Sequence, residues 1–431
     1  MKKELNEQFV IDLSKKKNEP EWMLEFRLKS YKKFKELDNP NFGPILDFDF
    51  ENINYYKGNK EKLTNDWKNV DCSIRNRFDE LGVIDAENKY LGGVTNQFES
   101  EVVYHNQNVD EDGIIFTSTD DALQKYPDLF KEYFNHLVNY AENKYTALNG
   151  AVWSGGSFIY IPKGVKVNRP LQSYFRIETE SLGQFERTII IVDEGADLSY
   201  IEGCTAKNFS ASSLHAGVVE IYIKKNAHCR YSTIQNWSTD VYNLVTKRAI
   251  VDDYGTMEWV DGNIGSKVTM KYPSCILKGE GAVGNSISIA YAKEGQHLDA
   301  GAKMIHLAPN TKSNIVSKSI AEGGGISNYR GLTKISPKAT NSKATIKCDT
   351  IILDDLSKSD TFPTNIVGNN TSSLEHEATI SKVSAEKMFY LTSKGLSENS
   401  AKELLIMGFI SDFKKELPME YAVELNRLLK E

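Results

Sequence analysis

Between about Ala151 and Ile380 the chain alternates short β-branched and aromatic runs with turn-forming residues, which is typical of β-strands. Turn-like elements recur at intervals of 31, 29, 26, 29 and 28 residues, at Gly195, Asn226, Gly255, Gly281, Asn310 and Lys338. A repeat of this length is typical of solenoids, in which each coil buries its inward side chains on neighbouring coils. The pattern therefore predicts a parallel β-helix, taken as right-handed, with Gly or Asn at its corners. A large antiparallel sandwich is the alternative.

Helical periodicity appears on both sides of this region. On the N-terminal side it predicts helices over Glu21–Glu36 and over 120–143, separated by a loop at 39–56. After Val383 it predicts Ala385–Ser393 with a stop at Gly395, then 398–413 capped by Ser397, then 419–430. The chain is thus expected to be mainly β, with an N-terminal helical or mixed region (1–150), a β-helix core (151–380) and a C-terminal helical domain (381–431).

Composition narrows the class of protein. The 431 residues carry 52 Lys and Arg against 59 Asp and Glu, a net charge of -7, which argues against a nucleic-acid partner. The sequence contains no apolar stretch long enough to span a bilayer, and its first residues, Met1–Asn6, have no apolar h-region. We therefore expect no membrane partner and a cytoplasmic location, or an organelle stroma if the gene is organellar.

The cysteines are scattered and odd in number: Cys72, Cys204, Cys229, Cys275 and Cys348. None forms a Cys-x-x-Cys pair, so neither a disulfide framework nor a self-contained zinc site is predicted. Reduced thiols are expected.

One grouping combines soft and hard metal ligands. Cys348, in Lys347-Cys348-Asp349, is followed by Leu374-Glu375-His376-Glu377, and a thiolate with imidazole and carboxylate suits iron, copper or zinc. Together with Tyr200-Ile201-Glu202-Gly203-Cys204 and Gln235-Asn236-Trp237, this arrangement resembles the SufB branch of the SufB/SufD family, the scaffold subunits of the SUF iron–sulfur cluster assembly machinery. The resemblance runs from Lys17–Leu24 to Glu416–Ala422.

The resemblance implies roles for particular residues. Cys348 would be the cluster ligand, completed by Glu377 and adjacent His376, at an interface with a SufD-like paralogue or a second copy. Cys204 would accept persulfide sulfur from a cysteine desulfurase and its relay protein, for which it needs access and a lowered pKa. A hydrophilic tunnel between the two cysteines would be lined by Arg176, Gln235, Trp237 and Lys247.

The resemblance also implies cofactors and partners. The cargo would be a transient [4Fe–4S] or [2Fe–2S] cluster delivered to apo-proteins, and a reduced flavin (FAD) would bind the complex. A SufC-type ABC ATPase would dock on the C-terminal helical domain. The chain itself has no Gly-x-x-x-x-Gly-Lys-Ser/Thr phosphate loop, so it is expected to be a non-enzymatic scaffold whose partner hydrolyses ATP.

Alternatives remain open from the residues alone. Cys348 and Cys204 could be buried, inert thiols, and Arg176 and Lys247 could point to solvent. The chain could be the SufD-like paralogue, or a carbohydrate-active β-helix enzyme, although it has neither a secretion signal nor a clustered catalytic set. It also departs from some relatives: Glu178 replaces an Asn, the loop after Trp237 is short, and Leu356–Ser359 lacks a cysteine.

Overall fold

The computed structural model describes residues 4–58, 63–80, 82–108, 113–208 and 211–416. The α-helices in these ranges are α1 Glu7–Lys16, α2 Glu21–Glu36, α3 Cys72–Glu80, α4 Val83–Lys89, α5 Thr119–Lys125, α6 Pro127–Tyr133, α7 Lys144–Val152, α8 Ala385–Ser393, α9 Glu398–Phe409 and α10 Ser411–Glu416. The strands are β1 Gly93–Phe98, β2 Glu101–Gln107, β3 Ile115–Ser118, β4 Ser157–Ile161, β5 Leu171–Ile177, β6 Gly183–Gln184, β7 Arg187–Val192, β8 Asp197–Ala206, β9 Ser213–His215, β10 Val218–Ile223, β11 His228–Trp237, β12 Val241–Val251, β13 Thr256–Gly265, β14 Val268–Lys271, β15 Ser274–Leu277, β16 Val283–Ala292, β17 His297–Ala300, β18 Lys303–His306, β19 Lys312–Ala321, β20 Ile326–Ile335, β21 Lys343–Ile352, β22 Thr361–Val367 and β23 Ser373–Lys382.

The strands form two long sheets. The first has the order β2-β1-β5-β8-β11-β13-β16-β19-β21-β23, and the second has the order β14-β17-β20-β18-β15-β12-β10-β7-β4-β3. From β5 onwards every pairing among the described strands is parallel, as in β11 with β13 and β10 with β12. The chain passes repeatedly from one sheet to the other, so it winds a β-solenoid of about eight turns. The prediction of a mainly β solenoid flanked by helices is confirmed.

Left-handed residues turn the chain at the corners. Gly195, Asn226, Gly281 and Asn310 have φ values of 68°, 56°, 66° and 60°, as their recurrence predicted. At the other two predicted corners the left-handed residues are Tyr254 and Asn341, each at 55°, instead of Gly255 and Lys338. Gly255 is required for a different reason, because a Cβ there would lie 2.9 Å from Val251 Cγ1.

Helices α2, α6 and α7 pack on the outer face of the second sheet, whereas α3 and α4 pack on the first sheet. Helix α2 has the predicted bounds, but the single helix predicted over 120–143 is wrong. Its first part is divided at Tyr126, whose φ of -132° and ψ of 52° leave the helical region, and Pro127 begins α6 because it has no N–H to donate to the preceding turn. Asn135, at φ 62°, then turns the chain away from α6.

The C-terminal helices lie along the outer face of the first sheet. Helix α8 and the Ser397 cap agree with the prediction, but α9 ends at Phe409 and a separate α10 follows. The helix predicted over 419–430 lies outside the described residues. Three buried apolar side chains hold this part of the chain on the sheet: Ile406 of α9, Ile410 between the helices and Phe413 of α10. They pack against strand residues of the first sheet, namely Ile201, Ile234, Val260 and Ile289. Helices α9 and α10 therefore cover the flank of the solenoid.

The two ends of the solenoid differ. At the N-terminal end β2 runs antiparallel to β1 and β3 antiparallel to β4, and Trp67 stacks on Tyr104 of β2 at 3.9 Å between ring centroids. At the other end β22 and β23, here called the open end, are exposed along most of their length. Phe362, Ile366 and Ile380 are 41%, 45% and 51% exposed there. Edge strands with exposed apolar side chains are templates for pairing with another chain.

Candidate functional site

A row of buried residues crosses the first sheet on its inward face. The strand registers align six of them, here called the interior row: Glu202, Thr233, Asp261, Ser288, Ser317 and Cys348. Each is at most 7% exposed. Adjacent strands lie about 4.8 Å apart, so the five steps from Glu202 to Cys348 span roughly 24 Å. The row therefore connects the region of one predicted functional cysteine with the other.

Cys204 lies at the start of this path. It is two residues from Glu202 on β8, so both face the interior, and it packs with Phe175 and Trp237. Cys204 is only 1% exposed. Burial raises its pKa well above the ordinary value, and the nearby carboxylates of Glu202 and Glu186 raise it further. The accessible thiol with a lowered pKa that sulfur acceptance requires is therefore not present in this conformation.

A buried ion pair lies beside Cys204. The ammonium of Lys247 donates to Glu202 Oε1 at 2.9 Å and to Thr233 Oγ1 at 3.0 Å. Burial alone would lower the pKa of Lys247, but the charges of Glu202 and Asp261 and the hydrogen bond to Glu202 together outweigh burial and raise it. Burial likewise opposes ionisation of Glu202, yet Lys247 and the hydroxyl of Tyr231 hold its pKa below the usual value. Both groups are therefore charged at neutral pH.

A second buried pair, which sequence reasoning missed, lies further along the row. Lys271 Nζ is 2.7 Å from Asp261 Oδ1 and donates to Asn263 Oδ1 at 3.1 Å. Burial lowers the pKa of Lys271 despite its partner. The one signal for Asp261 in the sequence is the coil length: each member of the row follows the previous one by 27 to 31 residues, a range too broad to fix the register.

Gln235 and Trp237 also belong to the interior. Gln235 is the register partner of Cys204, and its Oε1 accepts from Asn243 at 2.8 Å. The Trp237 ring lies 4.6 Å from the His215 ring. Among the described residues, neither Gln235 Nε2 nor Trp237 Nε1 has a hydrogen-bond partner. Buried donors without a protein partner usually bind ordered water or a ligand.

Arg176 is placed differently. It lies on the opposite side of β5 from Phe175, which packs with Cys204. Its guanidinium donates to Glu178 Oε1 at 2.6 Å and to Thr205 Oγ1 at 3.0 Å, and the side chain is 14% exposed. The structure thus brings Gln235, Trp237 and Lys247 together with Cys204 inside the solenoid and leaves Arg176 outside it.

Cys348 is the last residue of the interior row and lies on β21, the strand that pairs with β23 of the open end. It is 4% exposed, and burial raises the pKa of its thiol to about 12, although contact with Tyr329 opposes this shift. His376 aligns with Ile346, which shares the inward face with Cys348. Among the described residues His376 Nε2 has no partner, while Asn365 Nδ2 lies 3.1 Å from Nδ1.

Glu377 faces away from these two side chains. It aligns with Lys347, next to Cys348 in the chain, and its Oε2 lies 3.9 Å from Lys347 Nζ on the exposed side. Successive residues of a strand point to opposite faces, so Cys348 and His376 share a face that Glu377 does not. Within the described ranges no three His, Cys, Asp or Glu side chains are grouped closely enough to hold a metal ion.

Comparison with known proteins matches nearly the whole chain. Residues 175–409 match the family model "SUF system FeS cluster assembly, SufBD core domain", and residues 47–173 match "SufBD protein N-terminal region". A protein of Staphylococcus epidermidis described as "Iron-sulfur cluster assembly SufBD family protein" is 58% identical over 429 residues, 99% of this chain and 92% of the relative. Relatives from Staphylococcus saprophyticus and Staphylococcus aureus are 57% and 58% identical over the same shares.

The helices in the described part of the chain are all too short or too polar to cross a membrane. The solenoid, its polar interior and the two family matches agree with one another, and the chain belongs to the SufBD family of iron–sulfur cluster assembly proteins.

Proposed function

We propose that this chain is a SufB-type scaffold. It accepts persulfide sulfur at Cys204, passes it through the solenoid and assembles a [4Fe–4S] or [2Fe–2S] cluster at Cys348 for transfer to apo-proteins. The observation that carries this proposal is that both cysteines face the same interior, with the interior row between them. The presence of both cysteines favours the SufB type over a SufD-like paralogue.

Sulfur acceptance at Cys204 is a thiol exchange. The Cys204 thiolate attacks the terminal sulfur of the donor's persulfide, a new S–S bond forms to Cys204, and the donor leaves as a thiolate. Because Cys204 is buried and its pKa is raised, this step requires local opening of the coil around β8. Docking of the desulfurase's relay protein would supply that opening.

The interior offers a polar path for the sulfur. The ammonium groups of Lys247 and Lys271 are each paired with a carboxylate. The positive and negative charges of these two pairs therefore balance along the path. The unpartnered donors of Gln235 and Trp237 supply hydrogen bonds to water or to a sulfur anion in transit. Arg176 lies outside this path, and its role stays a prediction from the resemblance.

The cluster site is incomplete within one chain. Cys348 and His376 supply a thiolate and an imidazole on one face, while Glu377 must turn or act from the other side of β23. A resident iron–sulfur cluster is normally held by four cysteines. Ligands from a SufD-like paralogue or a second copy, seated on the open end, would complete the site. Such a site binds its cluster reversibly, which suits a scaffold that must release it.

The ATPase docking surface is proposed on the C-terminal helices. Phe389, Tyr390 and Leu404 are 73%, 61% and 54% exposed there. Together they form an exposed apolar surface that a SufC-type subunit could cover. The desulfurase with its relay protein and the reduced flavin stay proposals that rest on the resemblance.

The docking proposal predicts the result of a surface double variant. Phe389→Ser with Leu404→Ser is expected to lose at least tenfold in affinity for the ATPase, about 1.4 kcal/mol, measured by titration of the purified subunits. Ile45→Ser, at a residue that is 95% exposed elsewhere, is the matched control. Deleting 397–431 is a poorer test, because it removes Ile406 and Ile410 from the sheet they cover. Unchanged affinity of the double variant would refute the docking surface.

The sulfur-acceptance proposal predicts that Cys204→Ser separates two routes of assembly. We expect no cluster when sulfur comes from the desulfurase and L-cysteine, but a cluster when iron and free sulfide are added chemically, because the Cys348 end is intact. Cluster content is measured by iron and acid-labile sulfide per chain. Cys229→Ser, at another fully buried thiol of the solenoid, should support both routes. Loss of both routes in Cys204→Ser, or of neither, contradicts the assignment.

A further inference from the structure

A cavity lies between the segment that follows α2 and the outer face of the second sheet. Its volume is about 330 Å³, within the lower range of small-molecule sites. Its walls are largely apolar, with Leu37 and Phe42 from the segment, Tyr145 from α7, and Leu244 and Met270 from the sheet. It lies on the outer face of the second sheet, where β12, the strand of Lys247, forms part of its wall.

Two cations of the second sheet line this cavity. The register of β12, β15 and β18 places Arg248, Ser274 and Lys303 in one row on the outer face, opposite in direction to Cys275, which packs in the core. Arg248 and Lys303 line the cavity, whereas Ser274, between them, is 2% exposed and does not. The two cations are therefore the members of this row that a ligand could meet.

Lys303 is the cation of this row that has no carboxylate partner in the described part of the chain. Arg248 is bound to Glu142 by two hydrogen bonds of 2.7 and 2.6 Å, and neighbouring Arg330 is bound to Asp299 by two of 3.0 Å. The Lys303 ammonium instead lies 5.3 Å from the centroid of the Tyr272 ring.

The electrostatic surroundings of Lys303 favour an anion. Burial lowers its pKa, and the positive charges of Arg248 and Arg330 lower it further, with Glu142 opposing. Two carboxylates also line the cavity. Asp38 is exposed to solvent, where its charge is screened, and Glu142 is bound to Arg248. A negative group at Lys303 would supply the opposite charge that this lysine lacks.

We propose that this cavity binds a small organic anion, with its carboxylate or phosphate against Lys303 and its apolar body against the Phe42 and Met270 walls. The proposal does not depend on the proposed sulfur path. A phosphate ester and a carboxylate share the charge that the row recognises, and the size and lining of the cavity favour a single ring attached to that group.

Fluorine NMR with three probes tests this proposal on the full chain. The probes are 4-fluorophenyl phosphate, 4-fluorobenzoate and the neutral 4-fluorobenzyl alcohol. We expect at least one anion to bind at least tenfold more tightly than the alcohol, and the stronger of the two anions identifies the preferred head group. Lys303→Met, which keeps the length of the side chain, should lower that affinity at least tenfold.

Lys267→Met is the matched control. Lys267 is also a half-buried lysine without a carboxylate partner in the described ranges, 5.2 Å from the centroid of Tyr242, but it does not line the cavity. Its replacement should leave binding unchanged. Equal binding of the alcohol and the anions, unchanged binding by folded Lys303→Met, or no binding of any probe at about 1 mM would overturn the proposal. Desulfurase-driven cluster assembly, measured on the same variants, reports separately on the proposed function.

Discussion

Cys348→Ser is expected to abolish stable cluster assembly by either route of sulfur supply. A serine hydroxyl is a poor ligand for iron, and among the described residues no other thiol lies at the open end. The fold should survive, because serine is nearly isosteric and the hydroxyls of Tyr329 and Ser317 lie beside position 348. Iron and acid-labile sulfide per chain measure assembly, and circular dichroism measures the fold.

Cys275→Ser is the control for this experiment. Cys275 is fully buried in the same core cluster as Cys348, so its replacement carries the same cost of burying a hydroxyl, about 1–3 kcal/mol. It should keep its capacity for cluster assembly. A folded Cys348→Ser protein with normal iron and sulfide content would remove Cys348 from the proposed site.

Lys247→Met is expected to lower the free energy of unfolding by about 3–5 kcal/mol, because it leaves the Glu202 carboxylate buried without its cation. Lys247 and Glu202 are 1% and 2% exposed along their side chains, and their charged atoms are 2.9 Å apart. The loss is a large share of the ~5–15 kcal/mol by which proteins are stable. Urea unfolding followed by circular dichroism measures it.

A surface ion pair with a similar distance between nitrogen and oxygen provides the comparison. Lys163 and Glu194 are 2.8 Å apart but 68% and 44% exposed, and Lys163→Met should change stability little because water solvates the remaining carboxylate. Adding Glu202→Gln to Lys247→Met should recover part of the loss, since a neutral amide costs less to bury. If Lys247→Met and Lys163→Met unfold at the same urea concentration, the prediction is wrong. Removing Lys247 would then not leave Glu202 as a buried charge without its cation.

Local signals in the sequence predicted the elements well where packing did not override them. Helix α2 was predicted with the correct bounds from its apolar spacing, and four of the six corners have the left-handed residue where Gly or Asn recurs. The errors come from single backbone positions. Pro127 divides a stretch whose apolar periodicity is continuous, and Tyr254 adopts the left-handed conformation next to a glycine that was the obvious candidate.

The site was less predictable, because it depends on register between distant strands. The coils differ in length, so the sequence alone does not show that Ser317 lies beside Cys348. Nor does it show that Glu377 and Cys348 have opposite orientations, although the alternation along β23 places His376 and Glu377 on different faces. The sequence also does not show whether Lys247 and Arg176, two cations on strands, face inward or outward. In the structure Lys247 lies over the Tyr231 ring inside the solenoid. Phe175, the neighbour of Arg176, packs inward with Cys204, so Arg176 faces outward.

The contrast between the two ends of the solenoid has a consequence for solubility. A parallel β-helix with two free ends could add copies indefinitely and grow into a fibre. Here the N-terminal end carries reversed strands, and Thr64 pairs with Tyr104 at the edge of β2, which disfavours the addition of a parallel coil there, while the open end is left to pair. If the open ends of two chains join as proposed above, the pair would have its exposed edge strands covered. The asymmetry of the fold would then limit an aggregation-prone architecture to assemblies of two solenoids.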